Sequence, residues 1–367
     1  MIVRLLLAAA LLAGSAVPAS ARAVTDCPNA NTPFTAGSPM IDLMLSPAAR
    51  AILDAEAPGK FSRLPARFAG TTPPTFAAIL TLNEAAGFVG VKPAEVATID
   101  AALRGLRVTA ADRRARCARY DNDRPKFDLP TGRPRLLLFE KINGFKDTPS
   151  VDAAHAAILA MAERKGWAVA VTDKGGAFHP GTLKQFDAVI WNNISGDVLT
   201  LAQRRAMQQY IERGGGFVAM HGSAGDPVYF WDWYADSLIG ARFKGHPMAP
   251  QFQPARVVVD DAQHPAARGL PREWTMTDEW YSFKTNPRAS GARVIATLDE
   301  ASYSPKGMMG QDLTMGDHPI AWTKCVGRGR MFYSAIGHKP ETYVEPNHVT
   351  LLEGAIGWVA GAKGDCG

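Results

Sequence analysis

Residues 200–222 read TLAQRRAMQQYIERGGGFVAMHG, and this stretch decides the fold. Thr200 followed by Gln203 is the capping-box spacing that opens a helix. The glycine run Gly214-Gly215-Gly216 ends that helix, and residues 217–220 are a short apolar strand of the buried kind. Helix, glycine stop and buried strand form the repeating unit of a parallel sheet with crossover helices. The glycines are not a phosphate loop, because they follow a helix and precede a strand, the reverse of the order phosphate binding needs. The strand runs out at His221-Gly222, and open parallel sheets hold ligands beyond the carboxyl ends of their strands.

The same alternation extends outward. Residues 135–141, 167–172 and 187–191 read as strands. Residues 151–165 read as a helix with Val151, Ile158, Leu159 and Ala162 inward. Downstream, residues 293–298, 320–325 and 330–335 read as strands, the last two joined by the hairpin signal Val326-Gly327-Arg328-Gly329. Residues 349–359 close the chain as a helix. The expectation for residues 135–367 is an α/β fold with a doubly wound, mostly parallel sheet. Residues 223–285 are an aromatic-rich excursion, including Tyr229, Phe230, Trp231, Trp233, Tyr234, Trp274, Trp280 and Tyr281. Such rings fit the apolar faces of a sugar, or form a second small core.

Residues 121–134 are a polar linker broken by Pro125, Pro130, Gly132 and Pro134. Residues 24–120 read as a small α-helical domain. Ser46-Pro47 and Pro93 open helices, residues 72–86 show helical spacing up to Gly87, and Thr109 with Asp112 caps another. No chemical constellation occurs there, so the expected role is structural or docking. Residues 1–23 have the pattern of a signal peptide: Arg4, an apolar run over 5–17, and small-residue cleavage sites at Ala21 and Ala23. The run is shorter than the ~20 residues of a membrane span. The expectation is a periplasmic or secreted protein with no integral membrane segment after cleavage.

Composition narrows the partners. The apolar fraction of 47% can build ordinary cores, and the net charge of +5 comes from interspersed residues without a basic run. Nucleic acid is therefore not an expected partner. Four cysteines in an exported chain point to disulfides, with Cys27–Cys117 and Cys325–Cys366 favoured because each closes within one domain. No CxxC or Cys/His cluster marks a cysteine zinc site.

At the strand ends stand Glu140, Lys141, Asp173, Asn192, Asn193 and His221. If the strand at 330–335 is parallel to the others, His338 joins them. The stretch from His221 to Gly225 is close to a G-x-S-x-G elbow. However, its first glycine is replaced by histidine and the supporting triad order is absent, so serine hydrolysis is not expected. His155 reads as a core histidine on the inward face of its helix.

Several separated segments are similar to the trehalose-utilisation, or ThuA-like, family across roughly residues 135–361. They are Asn143-Gly144-Phe145-Lys146, the stretch from Tyr210 to Gly222, Leu238 to Pro247, His264-Pro265, Gly269-Leu270-Pro271, Asp278-Glu279-Trp280-Tyr281, Pro319 to Trp322, Gly327 to Tyr333, and Gly337-His338. The resemblance implies a flavodoxin-like, class I glutamine amidotransferase-like fold without the amidotransferase cysteine, and a role in the metabolism of sugars or keto-glycosides. Carried over by motif, it implies a site of His221, His246, Glu279 and His338, with Asp278 and Tyr281 nearby. Asp147 stands where the family often has histidine.

The expected catalytic residues are His221, Glu279, His338 and Asp147. The expected substrate contacts are Asn192, Asn193, Trp280 and Tyr281. A divalent metal such as Zn or Mn, if used, would fall to His221, His246, Glu279 and His338, although His246-Pro247 and His264-Pro265 also read as fixed extended loops. Asp278-Glu279, if extended, would turn one carboxylate into the site and the other away. The expected activity is carbohydrate hydrolysis, elimination or isomerisation by His/Glu acid–base chemistry. The alternative is a non-catalytic periplasmic sugar-binding protein.

Overall fold

The structure, a computed structural model, describes residues 23–361. The expected signal segment, apart from its last residue, and Cys366 lie outside the described residues. No helix among those described is long and apolar enough to cross a membrane.

The described residues form eleven strands: β1 (Arg135–Phe139), β2 (Ala168–Thr172), β3 (Ala188–Trp191), β4 (Gly216–Met220), β5 (Phe243–Gly245), β6 (Phe252–Val259), β7 (Glu273–Glu279), β8 (Ser282–Phe283), β9 (Arg293–Asp299), β10 (Pro319–Val326) and β11 (Gly329–Ser334). Nine of them make one sheet in the order β2-β1-β3-β4-β11-β10-β9-β6-β7, and β5 pairs with β8 apart from it. The first five are mutually parallel, in the 2-1-3-4-5 order of a flavodoxin-like sheet. The hairpin between β10 and β11 is antiparallel as expected, and antiparallel pairing continues to β7. Alternating direction from β11 leaves only β10 and β6 reversed, so β7 and β9 point the same way as the parallel core. The carboxyl ends of β1, β3, β4, β7 and β11 therefore share one edge.

The crossover helices cover both faces of the sheet. Thr148–Lys165 and Pro346–Ala360 share one face, tied by Arg164 and Lys165 to Glu353. Leu201–Glu212 packs with the turn Pro180–Leu183 on the other. The central strands are apolar because both faces are covered: Leu136 to Phe139, Ile190 and Phe217 to Met220 are fully or nearly fully buried. His155 departs from expectation. It is half-buried and bonds Glu140 at 3.0 Å, because a carboxylate at the end of β1 draws the ring toward the sheet edge.

The N-terminal helices have their own core, including Ile41, Leu53, Leu82, Ile99 and Leu103. The helix expected over 72–86 is broken into short turns, because Thr75 and Thr81 each cap a new one. Cys27 and Cys117 form a disulfide. This unit is joined to the α/β part by hydrogen bonds. The Asn143 carbonyl accepts from Thr75 N–H at 3.0 Å, and Asp26 accepts from the first N–H groups of the helix Leu201–Glu212.

Candidate active site

Strand β4 delivers His221 into a turn with a φ of 32°, a backbone region that non-glycine residues rarely occupy. The turn is held from several sides. Asn193 Oδ1 accepts from Gly222 N–H at 3.1 Å, and the Tyr333 hydroxyl donates to the His221 carbonyl at 2.9 Å. The His221 ring stacks on Tyr281 with centroids 4.0 Å apart. Its Nδ1 lies 2.7 Å from the Ala335 carbonyl. A carbonyl only accepts, so Nδ1 carries a proton and Nε2 is the ring atom turned to the site. That atom faces His338 Nδ1 at 3.3 Å and Glu279 Oε2 at 3.4 Å.

Glu279, at the end of β7, is buried among histidines. Its Oε2 is 2.9 Å from His338 Nδ1, its Oε1 is 3.1 Å from His246 Nδ1, and the Gln251 amide donates to it. Burial would raise this carboxyl. Hydrogen bonds from His221 and His338, with the charge of His246, outweigh burial and hold it well below the usual carboxylate range. For His338, burial alone would favour the neutral ring. The Glu279 bond and charge outweigh it and shift His338 upward.

Asp278 faces the other way, as strand alternation requires. It is fully buried, yet accepts from the N–H groups of Gly337 at 2.6 Å, His338 at 3.1 Å and Lys339 at 3.0 Å. Burial pushes its carboxyl up. It thereby fixes the backbone that carries His338. Gly337 is needed there: its φ is 143°, and a Cβ would lie 2.3 Å from the Tyr343 hydroxyl.

Asp147 caps the helix Thr148–Lys165, accepting from Ser150 N–H at 3.1 Å and from the Ser150 hydroxyl, which also reaches the His338 carbonyl. Asp147, Phe145, Asn193, His221 and His338 line a cavity of about 10 Å³. It lies beyond the carboxyl ends of β1, β3, β4 and β11, beside the point where the sheet order reverses. Such a volume suits one water or ion, and any larger ligand would lie at its mouth.

The structure thus brings His221, Glu279 and His338 together, with His246 at the rim and Asp147 on the wall. Asn192 and Trp280 are not ligand-facing, contrary to expectation. The Asn192 amide is buried against Glu140 and the Val151 carbonyl, and Trp280 Nε1 donates to the Gln253 carbonyl inside the core. Asn193 lines the cavity, but its amide is spent on Asn192 and Tyr343. Tyr281 is a buried support for the His221 ring. His264 lies elsewhere, capping its own turn against Trp358. Gln251, Ser150 and Tyr333 were not expected. Each acts through a contact distant in sequence, for which no local pattern exists.

The donor set suits a metal. Ligand atoms of His221, Glu279 and His338 all lie within 4.8 Å of one another. Two imidazoles and one carboxylate with an open position match the ligand count of a catalytic zinc site. His246 meets the other Glu279 oxygen and so stands outside this triad.

Residues 135–359 match the family model described as ThuA, trehalose utilisation. A ThuA-like protein from Bacteroides uniformis is 27% identical in its crystal structure, with a TM-score of 0.54, covering 65% of this chain and 95% of that one. A ThuA-like protein from Parabacteroides merdae is 19% identical with a TM-score of 0.46, covering 62% of this chain and 89% of that one. No curated protein matches the sequence. The family match runs from the first residue of β1 into the last helix and spans every element that carries the triad, so the chain belongs to the ThuA trehalose-utilisation family, whose role is carbohydrate-related.

Proposed function

We propose that the protein is an exported enzyme that acts on a sugar or keto-glycoside by acid–base chemistry. The observation that carries this reading is the buried Glu279 carboxylate set between His221 and His338. His221 is the base: its Nδ1 proton is committed to the Ala335 carbonyl, which leaves Nε2 as the ring atom turned to the site. His338 is the acid, since the adjacent carboxylate favours its protonated form. Glu279 stays ionised beside both rings, and a base and an acid set side by side can move a proton off one substrate atom and onto another. If a divalent ion such as Zn²⁺ or Mn²⁺ were held by His221, Glu279 and His338 instead, the rings would serve as neutral ligands, and the ion would polarise a sugar oxygen in place of their proton transfer. Export is favoured by the apolar pattern of residues 1–23 and the Cys27–Cys117 disulfide. The strained His221 turn and the buried charge favour catalysis over a passive sugar-binding role. The test is incubation with ordinary and 3-keto glycosides, with and without chelator. Turnover supports the proposal, and binding without turnover of any substrate overturns it. Loss of turnover on chelation, restored by Zn²⁺ or Mn²⁺, assigns the metal.

A further inference from the structure

We propose that Asp226 is a positioning residue for the reaction: acting through Ser195, it sets the loop of residues 143–147 that walls the site beside His338. This inference rests on the acid–base reading above and adds two residues that do not line the His221 cavity.

Asp226 lies just beyond the turn His221–Ala224 and is buried. Its Oδ1 accepts from the Ser195 hydroxyl at 2.5 Å, and its Oδ2 accepts from Gly196 N–H at 2.7 Å. The Ser195 hydroxyl oxygen accepts in turn from Phe145 N–H at 2.9 Å. The Ser195 carbonyl accepts from the N–H groups of Asn143 at 3.0 Å and Gly144 at 2.9 Å. Three successive N–H groups after β1 therefore hang on one residue after β3, and Asp226 fixes that residue. The fit is close: a Cβ on Gly144 would lie 2.3 Å from Ser195 Oγ. Asp226 is itself fastened, its N–H donating to the Tyr229 hydroxyl at 2.9 Å.

The direction of this chain of bonds follows from its ends. Phe145 N–H can only donate, so the Ser195 hydroxyl proton points to Asp226. Gly196 N–H also only donates, so each carboxylate oxygen meets a donor, and the ionised form suits both. Burial pushes this carboxyl up to about 7, and the charge of Asp197 adds to the rise against the bonds from Ser195 and Gly196. An asparagine would offer one acceptor and turn an amide N–H toward the other donor. The carboxylate is thus the side chain that holds both Ser195 and Gly196 in place.

The loop so held bears on the acid of the pair. Phe145 lies 5.9 Å from the His338 ring, and both line the cavity with His221. Asp147, at the other end of the loop, accepts from the Ser150 hydroxyl, which also reaches the His338 carbonyl. A shift of residues 143–147 moves the aromatic wall against His338.

The test uses the full chain at about pH 8, where Asp226 is mostly ionised. NMR of histidine-labelled protein reads the rings directly. In Asp226→Asn and in Ser195→Ala, each shown to be folded by circular dichroism, the His338 ring signals should shift because the Phe145 ring moves. The signals of His264, which lies against Trp358, should stay in place. On a glycoside that the wild-type chain converts, each variant should lose about 10- to 100-fold in kcat with little change in KM, the mark of misplaced reacting groups. The double variant should lose no more than either single one, because both break the same chain of bonds. His338 signals that match the wild type in both folded variants overturn the proposal, and so does wild-type kcat in both. A wild-type chain that converts no glycoside removes the acid–base reading instead, and the His338 signals then decide alone whether Asp226 sets this loop.

Discussion

His221 Nε2 lies 3.4 Å from Glu279 Oε2, although their strands, β4 and β7, are five steps apart in the sheet. At the usual strand spacing, five steps in a flat sheet would separate them by about 24 Å. The antiparallel half must therefore curl back over the parallel half. Register shifts between β9 and β10, around Pro319, Ala321 and Trp322, supply a local bend of the kind that bulges introduce. The site is a product of this curvature, since it closes β7 onto the end of β4.

Asp278 should be a positioning residue. Its carboxylate holds three successive N–H groups around His338, and an amide at that place offers one acceptor oxygen instead of two. Asp278→Asn is expected to lower stability by about 1–3 kcal/mol, the cost of leaving a buried donor unpaired. Turnover should fall further than the melting temperature alone explains, because His338 loses its anchor. Unchanged stability and turnover together would remove Asp278 from this role.

Acid should weaken the fold through His348. The ring is fully buried, with Nδ1 2.9 Å from the Thr342 carbonyl and Nε2 3.3 Å from the Ser334 hydroxyl. Burial lowers its pKa to about 4. A histidine depressed in the fold takes up its proton first in the unfolded chain. Its stabilising contribution is complete above about pH 6.5 and is lost as pH falls toward 4, by roughly 3 kcal/mol in all. Melting temperatures across this window should drop, and His348→Leu should flatten that part of the decline. An identical decline in the variant would assign it to other groups.

The Cys27–Cys117 bridge should stabilise the helical unit selectively. It joins residues 90 apart in sequence. Closing a loop of that length contributes about 4.6 kcal/mol in chain-entropy terms. In the Cys27→Ser/Cys117→Ser double variant, limited proteolysis should cut within residues 24–120 well before the α/β part. Equal protection of both parts would show that the bridge is not what holds the unit.

The parallel core was legible because its signals are local. The run at 217–220, its glycine stop and the alternation of strands with helices all lie within short windows. His221 followed from them at once. His338 depended on the direction of β11, which its sequence leaves open and its pairing with β4 settles. Glu279 was reached by family motif, since no periodicity reveals that a sheet edge curls back. Asn192 and Trp280 misled for a related reason: polar or aromatic residues near a strand end satisfy themselves inside the protein when the chain covers them. The helix expected over 72–86 failed because the threonine caps compete with helical spacing.

The most direct measurement is turnover by His221→Ala, Glu279→Gln and His338→Ala on a glycoside that the wild-type chain converts, each variant first shown to be folded by circular dichroism. Each is expected to lose about 10²–10⁴-fold, the range for removing one acid–base group. The losses should be far from additive in the double variant His221→Ala/Glu279→Gln, because the groups act as a unit. Folded variants that retain wild-type turnover would contradict the acid–base proposal and place the chemistry elsewhere in the molecule.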